Sequence, residues 1–293
     1  MQEYSLKHRL FHSPLGPWLR LMRFDRPIGL LLLFWPTTWG LWAAAQGLPG
    51  LKNLMIFTLG VVIMRSAGCV INDYLDRDID PLISRTERRP LASGELRPAQ
   101  ALGLFMGLMI TALCLVLMTN LMTVQLAIVG AILASTYPLF KRFTHLPQAM
   151  LGLAFSWAIP MAFAAETQSL PPIVWLWVAI NVVWVLIYDT QYAMADRPDD
   201  LKVGVKSTAI LLGRFDVWGI ALGMVLMVLL LAILGMIEQA SWSWWLSLGF
   251  VIALFARQAW TIRQREPSAC FGAFLSNHWV GLIIFLGLWA QSI

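Results

Sequence analysis

WGIALGMVLMVLLLAILGMI, residues 218–237, runs for twenty positions without one charged side chain. A helix needs about 20 mostly apolar residues to cross the hydrocarbon core of a bilayer, and only helices and closed barrels satisfy their own backbone there. Runs of the same kind recur to either side of it. They predict spans at Ile28–Gln46, Leu54–Ile71, Ala101–Met118, Thr123–Phe140, Leu146–Ala165, Ile173–Tyr188, Trp218–Ile237, Trp242–Ile262 and Phe271–Gln291. The expected fold class is all-α: a polytopic membrane helical bundle of about nine transmembrane helices.

Composition agrees over the whole length. Of 293 residues, 59% are hydrophobic and 13% charged, with mean hydropathy +0.70; a water-soluble domain carries about 25% charged residues. No polar stretch is long enough for a separate domain, so residues 1–293 read as one membrane-embedded domain. Met1 to Arg26 holds no short apolar core ahead of a small-residue cleavage site, so no cleaved signal peptide is expected. Cys69, Cys114 and Cys270 form no C-x-x-C, and the four histidines form no H-E-x-x-H, which argues against disulfides and zinc.

Charge placement orients the spans. Nineteen of the 21 lysines and arginines fall on one side, leaving Lys52 on the other and Arg65 within the second span. The positive-inside rule then predicts N-terminus inside and C-terminus outside, in a plasma (inner) membrane. The net charge of +5 is thereby explained without nucleic acid. Of the 16 acids only Glu166 and Glu238 fall outside, although acids contribute little to topology. Two inside loops, at about 72–100 and 189–208, are also far longer than the outside connections. Long loops carry function, so the active face is expected to be cytoplasmic.

Those loops hold the acids in two clusters. The first is N-D-Y-L-D-R-D-I-D at Asn72–Asp80. With the second span continued as a helix, Asn72, Asp76 and Asp80 share one face over roughly 12 Å. Such a stripe repels itself unless a hard cation neutralises it, and Mg²⁺ takes carboxylate oxygens, waters and substrate phosphates. The second is D-T-Q-Y-A-M-A-D-R-P-D-D at Asp189–Asp200, where Asp189, Tyr192 and Asp196 share a helical face. Asp200 follows Asp196 as Asp80 follows Asp76, in a repeated D-R-x-x-D; Pro198 is expected to bias Arg197 away from helix and set Asp200 on a turn. A lone cluster is as easily a solvated loop, but two of shared spacing, each abutting a span on one side, argue for a site. Arg85, Arg88 and Arg89 follow the first, Lys202 and Lys206 the second, and acids with Mg²⁺ beside bases make a diphosphate site. Arg65 lies two turns before Asn72 within a span, where a charge must be paired or face a wet cavity, so it is read as binding an anion or orienting Asp76.

These motifs resemble the UbiA superfamily of intramembrane prenyltransferases, through N-D-x-x-D-x-x-x-D at Asn72–Asp80 and D-x-x-Y-x-x-x-D-x-x-x-D at Asp189–Asp200. Within it the chain looks most like the 4-hydroxybenzoate polyprenyltransferases of ubiquinone biosynthesis. R-F-D-R-P-I-G at Arg23–Gly29, M-R-S-A-G-C-V-I-N-D-Y at Met64–Tyr74 and Y-P-L-F-K-R-F-T-H-L-P-Q at Tyr137–Gln148 carry that likeness, with Y-D-T-Q-Y-A-M-A-D at Tyr188–Asp196 and G-V-K-S-T-A-I-L at Gly204–Leu211. The resemblance implies Mg²⁺-dependent transfer of a polyprenyl group from polyprenyl diphosphate to the ring of 4-hydroxybenzoate, ortho to the hydroxyl, with release of pyrophosphate. It implies that Asp76, Asp80, Asp196 and Asp200, assisted by Asn72, carry the metal and the diphosphate. Arg88, Arg89, Lys202 and Lys206 can stabilise charge on the leaving group. The faces of Tyr137, Tyr192 and Phe24 can stabilise an allylic cation. Arg142 or Arg26 is a candidate for the benzoate carboxylate. Most tryptophans, Trp242, Trp244 and Trp245 among them, are expected in an interfacial belt.

Three rivals stand beside this reading. A CDP-alcohol phosphatidyltransferase keeps its acids in one contiguous motif, whereas these clusters are far apart. A divalent-cation transporter would set its ionisable groups near the bilayer midplane. Within the superfamily, dihydroxynaphthoate, homogentisate or haem are other acceptors. The expected partners are the two substrates and the lipid bilayer; the sequence points to no protein partner.

Overall fold

The computed structural model describes residues 11, 13–82 and 86–291, and for 141, 142 and 203 the backbone only. Among the described residues the apolar runs are helices and no strand occurs. A short α1 (Gly16–Leu21) precedes α2 (Ile28–Ala45), α3 (Leu51–Asp76), α4 (Pro98–Val116), α5 (Leu121–Phe143) and α6 (Pro147–Ser156). Then follow α7 (Ala158–Thr167), α8 (Ile173–Val203), α9 (Thr208–Leu212), α10 (Asp216–Ile237), α11 (Trp242–Ile262) and α12 (Pro267–Trp289). With α6–α7 and α9–α10 each taken as one crossing, nine stretches among the described residues are long and apolar enough to span a bilayer.

Three boundaries differ from expectation, each for a physical reason. The fifth span breaks at Trp157 into α6 and α7, and the Trp157 indole N–H is tied to the Leu126 carbonyl at 2.8 Å. The first acidic cluster is not one continuous helical stripe: α3 ends at Asp76, and Asp80 opens a separate 3-10 turn, Asp80–Leu82. The second cluster is not a loop. Helix α8 runs through Pro198 to Val203 and stops where Gly204 takes φ 77°, its N–H returning to the Asp200 carbonyl at 2.9 Å. An interior proline costs about 3 kcal/mol; the ion pairs of Arg197, described below, help hold the turn that contains it.

Length explains what these two helices do. At 1.5 Å per residue α3 is roughly 39 Å long and α8 roughly 46 Å, against a hydrocarbon core of about 30 Å. Both overhang at the same end and carry their acids clear of the apolar layer. Helix α8 is the central post, packed against α6, α10 and α12. Two of its tryptophans face inward: Trp184 stacks on Trp39 with centroids 5.0 Å apart, and Trp39 on Trp177 at 6.0 Å, while Trp175 is exposed. Trp242 and Trp245 are exposed as a belt requires, but Trp244 is buried and donates to the Leu231 carbonyl, so the belt reading fails there.

A buried chain of amides fixes the rotation of α8. The Trp184 indole donates to Asn277 Oδ1 at 3.2 Å, Asn277 to Gln191 Oε1 at 2.8 Å, and Gln191 to Gln258 Oε1 at 3.0 Å. Polar groups this deep are costly unless satisfied, so each link constrains the next. On the other flank α4 leans on α3 and barely touches α5, which leaves a gap in the wall.

Candidate active site

Both acidic clusters open into one cavity of about 550 Å³ at the overhanging end. Asn72, Asp76 and Asp80 line it from α3 and the 3-10 turn; Asp189, Tyr192, Asp196 and Asp200 line it from α8. The site therefore gathers residues from chain segments more than a hundred positions apart. Arg26, Arg65, Arg88, Arg89, Tyr137 and Lys206 also line it. Lys202 does not: it points outward and pairs with Asp199 at 2.9 Å, because its helical position turns it away from the chamber. Arg85 and the side chain of Arg142 lie outside the described residues. Phe24 is exposed and does not line the cavity.

Each cluster rests on a buried aspartate that bridges two arginines. Asp73 accepts both carboxylate bonds of Arg23, at 2.7 and 2.8 Å, and a further one from Arg89 at 3.0 Å. Arg23 holds φ 64°, a conformation a non-glycine residue keeps only when its surroundings enforce it. Arg89 also reaches Asp80 at 2.9 and 3.0 Å, so a base expected on phosphate is shared here between two acids of the first cluster. Burial pushes the Asp80 carboxyl above its ordinary range against the pull of Arg89. Burial pulls the Arg89 guanidinium down, but Asp73 and Asp80 more than offset it and hold it above its usual value.

At the second cluster, Asp216 accepts from Arg197 at 2.5 Å and from Arg265 at 2.8 Å, and Arg197 also donates to the Ala209 carbonyl. The repeated D-R-x-x-D thus hides a difference: Arg77 stacks on Tyr74, 4.8 Å from its centroid, while Arg197 ties α8 to α10. Gln148 on α6 ties that helix to α9, its Oε1 accepting from the Thr208 N–H at 3.1 Å, and lines the chamber beside Asp189.

The floor of the chamber changes character. A second cavity of about 500 Å³ runs into the apolar layer between α3, α4, α5 and α6–α7. Arg65, Tyr137 and Phe155 line both cavities, so they mark the junction. Among the described residues Arg65 makes no ion pair; its guanidinium lies 6.0 Å from the Phe155 centroid and its Nε is buried without a hydrogen-bond partner. Arg65 therefore faces the cavity, as a charge within a span must when it is not paired. Asp73, Asp216, Gln148 and Tyr188 were not singled out in the sequence. Asp73 stood next to Asn72 in plain view, but nothing in spacing tells a metal-facing acid from one that anchors arginines.

No three His, Cys, Asp or Glu side chains among the described residues converge as a ready-made metal cage. The donors instead come from two separate helices and a 3-10 turn that line one chamber. All the acidic ones are hard oxygens. That fits a hard divalent cation held by a few carboxylates together with phosphate oxygens of a substrate.

A curated relative from Psychromonas ingrahamii, "4-hydroxybenzoate octaprenyltransferase", is 53% identical over 271 residues, covering 92% of this chain and 94% of its own. The solved UbiA homolog from Aeropyrum pernix K1 has the same fold, with TM-score 0.77 and 24% identity over 92% of this chain and 99% of its own. A UbiA homolog from Archaeoglobus fulgidus, solved bound to GPP and Mg²⁺, superposes with TM-score 0.74 at 17% identity, covering 94% of this chain and 99% of its own. Residues 33–285 match the UbiA prenyltransferase family, and the chain belongs to it.

Proposed function

We propose that this protein transfers a polyprenyl group from polyprenyl diphosphate to the ring of 4-hydroxybenzoate, releasing pyrophosphate, with Mg²⁺ as the metal. The observation that carries this is the meeting of two unlike cavities at Arg65, Tyr137 and Phe155. The bond that breaks joins a polar head to an apolar tail, so the reacting carbon belongs at that junction. The name of the Psychromonas relative supports the acceptor and a long tail; the ligands of the Archaeoglobus homolog support the diphosphate and the metal.

Asn72, Asp76, Asp80, Asp196 and Asp200 would hold Mg²⁺ with the diphosphate oxygens, and the bound ion supplies Lewis-acid stabilisation of the negative charge left on pyrophosphate. Arg88, exposed at the rim, and Lys206, whose Nζ makes only a long 3.4 Å contact to the Phe143 carbonyl among the described residues, can reach phosphate oxygens. The Tyr137 ring at the junction offers a π-face to the developing allylic cation. The apolar groove keeps water, the competing nucleophile, away from it. For the acceptor carboxylate we favour Arg65, which has a buried Nε and no ion-pair partner among the described residues, over Arg26, which is 63% exposed at the rim and pairs with Asp25. The lopsided basic residues support an inner-membrane enzyme whose chamber faces the cytoplasm.

The test is incubation of the purified protein with 4-hydroxybenzoate, radiolabelled polyprenyl diphosphate and Mg²⁺, with and without chelator. Labelled prenyl-hydroxybenzoate is expected only with metal. Asp76→Ala and Asp196→Ala should abolish it while inserting normally; normal turnover in either variant removes that residue from the site.

A further inference from the structure

We propose that the Tyr188 hydroxyl is the group that recognises the ring hydroxyl of the acceptor, and so selects phenols over aromatic acids that lack it. The inference rests on the acceptor reading above and deepens it. Tyr188 is 2% exposed, lines the chamber, and its hydroxyl has no hydrogen-bond partner among the described residues. A buried hydroxyl left unpaired weakens the fold, and a phenylalanine would fill the same space without that cost.

The ring cannot swing away to find a partner. It stands edge-on to Trp184 at 5.3 Å and 86°, with Phe274 at 6.1 Å on another side. Trp184 is itself fixed through Asn277. The Tyr188 oxygen is therefore held in place, within electrostatic reach of Arg65, Tyr137 and Asp189.

Arg65 presents the complementary orphan on the same chamber, a guanidinium whose Nε is unpaired. A para-hydroxy aromatic acid has two polar ends and an apolar ring between them. Its carboxylate matches the guanidinium and its hydroxyl matches Tyr188. The tyrosine oxygen accepts from the acceptor O–H, which fixes the rotation of the ring and the place of the carbon beside that hydroxyl within the chamber. A site that hydrogen-bonds a substrate hydroxyl rejects the analogue lacking it, because the protein group is then left unpaired.

The experiment is calorimetric binding of 4-hydroxybenzoate and of benzoate to detergent-purified protein with Mg²⁺ and inorganic pyrophosphate, for the wild type and Tyr188→Phe. The wild type should prefer 4-hydroxybenzoate by roughly tenfold or more. The variant should bind the two acids about equally, with benzoate affinity and thermal midpoint no lower than wild type. Retained preference in Tyr188→Phe overturns the proposal. So does an equal loss of both acids, which would mark a purely structural tyrosine. A hydroxyl preference that depends on Tyr188, in a protein that forms no prenylated product, supports the contact while sinking the transferase reading.

Discussion

Gly29 has no side chain, and Arg65 occupies the space: a Cβ there would collide with the guanidinium Nη2, Nε and Cζ. The collision is with the far end of a flexible side chain, so the arginine moves and the helix does not. Gly29→Ala in α2 should leave stability unchanged or raise it by up to about 1 kcal/mol, since alanine is the better helix former. Acceptor affinity should meanwhile fall about tenfold, or ~1.4 kcal/mol, while the KM for the diphosphate stays put. Parallel measurement of the thermal midpoint and both KM values checks this; a stable variant with wild-type acceptor KM would remove Arg65 from the acceptor site. The motif R-F-D-R-P-I-G was legible as a signature, yet its reason was not. That the glycine makes room for an arginine 36 positions away is a fact of helix packing, and no local spacing encodes it.

The two long helices show what could be read at the level of elements and what could not. Spans announce themselves because an apolar run of fixed length has no alternative fold in a bilayer. Where a helix ends is decided by tertiary partners, and those are invisible in one sequence. Pro198 argued for a turn, but Asp216 and its two arginines keep α8 helical past it. That makes Asp216 the brace of the second cluster, acting on the site only through the position of α8. Asp216→Asn leaves Arg197 and Arg265 without their counter-charge. Because Arg265 is partly exposed, the expected loss is in the lower range for charged hydrogen bonds, about 1–3 kcal/mol. The consequence should fall on Asp196 and Asp200: a several-fold higher KM for the diphosphate, with 4-hydroxybenzoate binding intact because Arg65 and Tyr188 sit deeper. Asp73→Asn should act the same way on the first cluster by releasing Arg23 and Arg89. If either variant loses acceptor affinity as strongly as diphosphate affinity, the idea of two separate braces fails.

At the scale of the whole molecule the decisive feature is the unsealed wall. Met106, Ile110 and Leu113 on α4 and Ile128 on α5 line the apolar cavity and are all exposed, and the two helices barely touch, so the groove is open between them. A cavity of about 500 Å³ suits a drug-sized ligand. A long polyprenyl tail must continue through the gap into lipid. Lipid is as apolar as the leucines and methionines it would leave behind. Beyond the units that fill the groove, extra isoprenes therefore gain and lose nothing by binding. Diphosphates long enough to emerge should react with kcat/KM within about threefold of one another, in contrast to the ~0.8 kcal/mol per methylene that a closed pocket would add. The protein on this account does not measure its tail, and product length follows from which diphosphate the membrane supplies. Plugging the gap separates the cases. Ile128→Trp should suppress turnover of long-chain diphosphates at least tenfold while sparing geranyl diphosphate, whose tail ends inside the groove. A steep chain-length optimum in the wild type, or an equal loss for short and long substrates in the plugged variant, would mean that the tail is enclosed by the protein and that the opening between α4 and α5 is not its path.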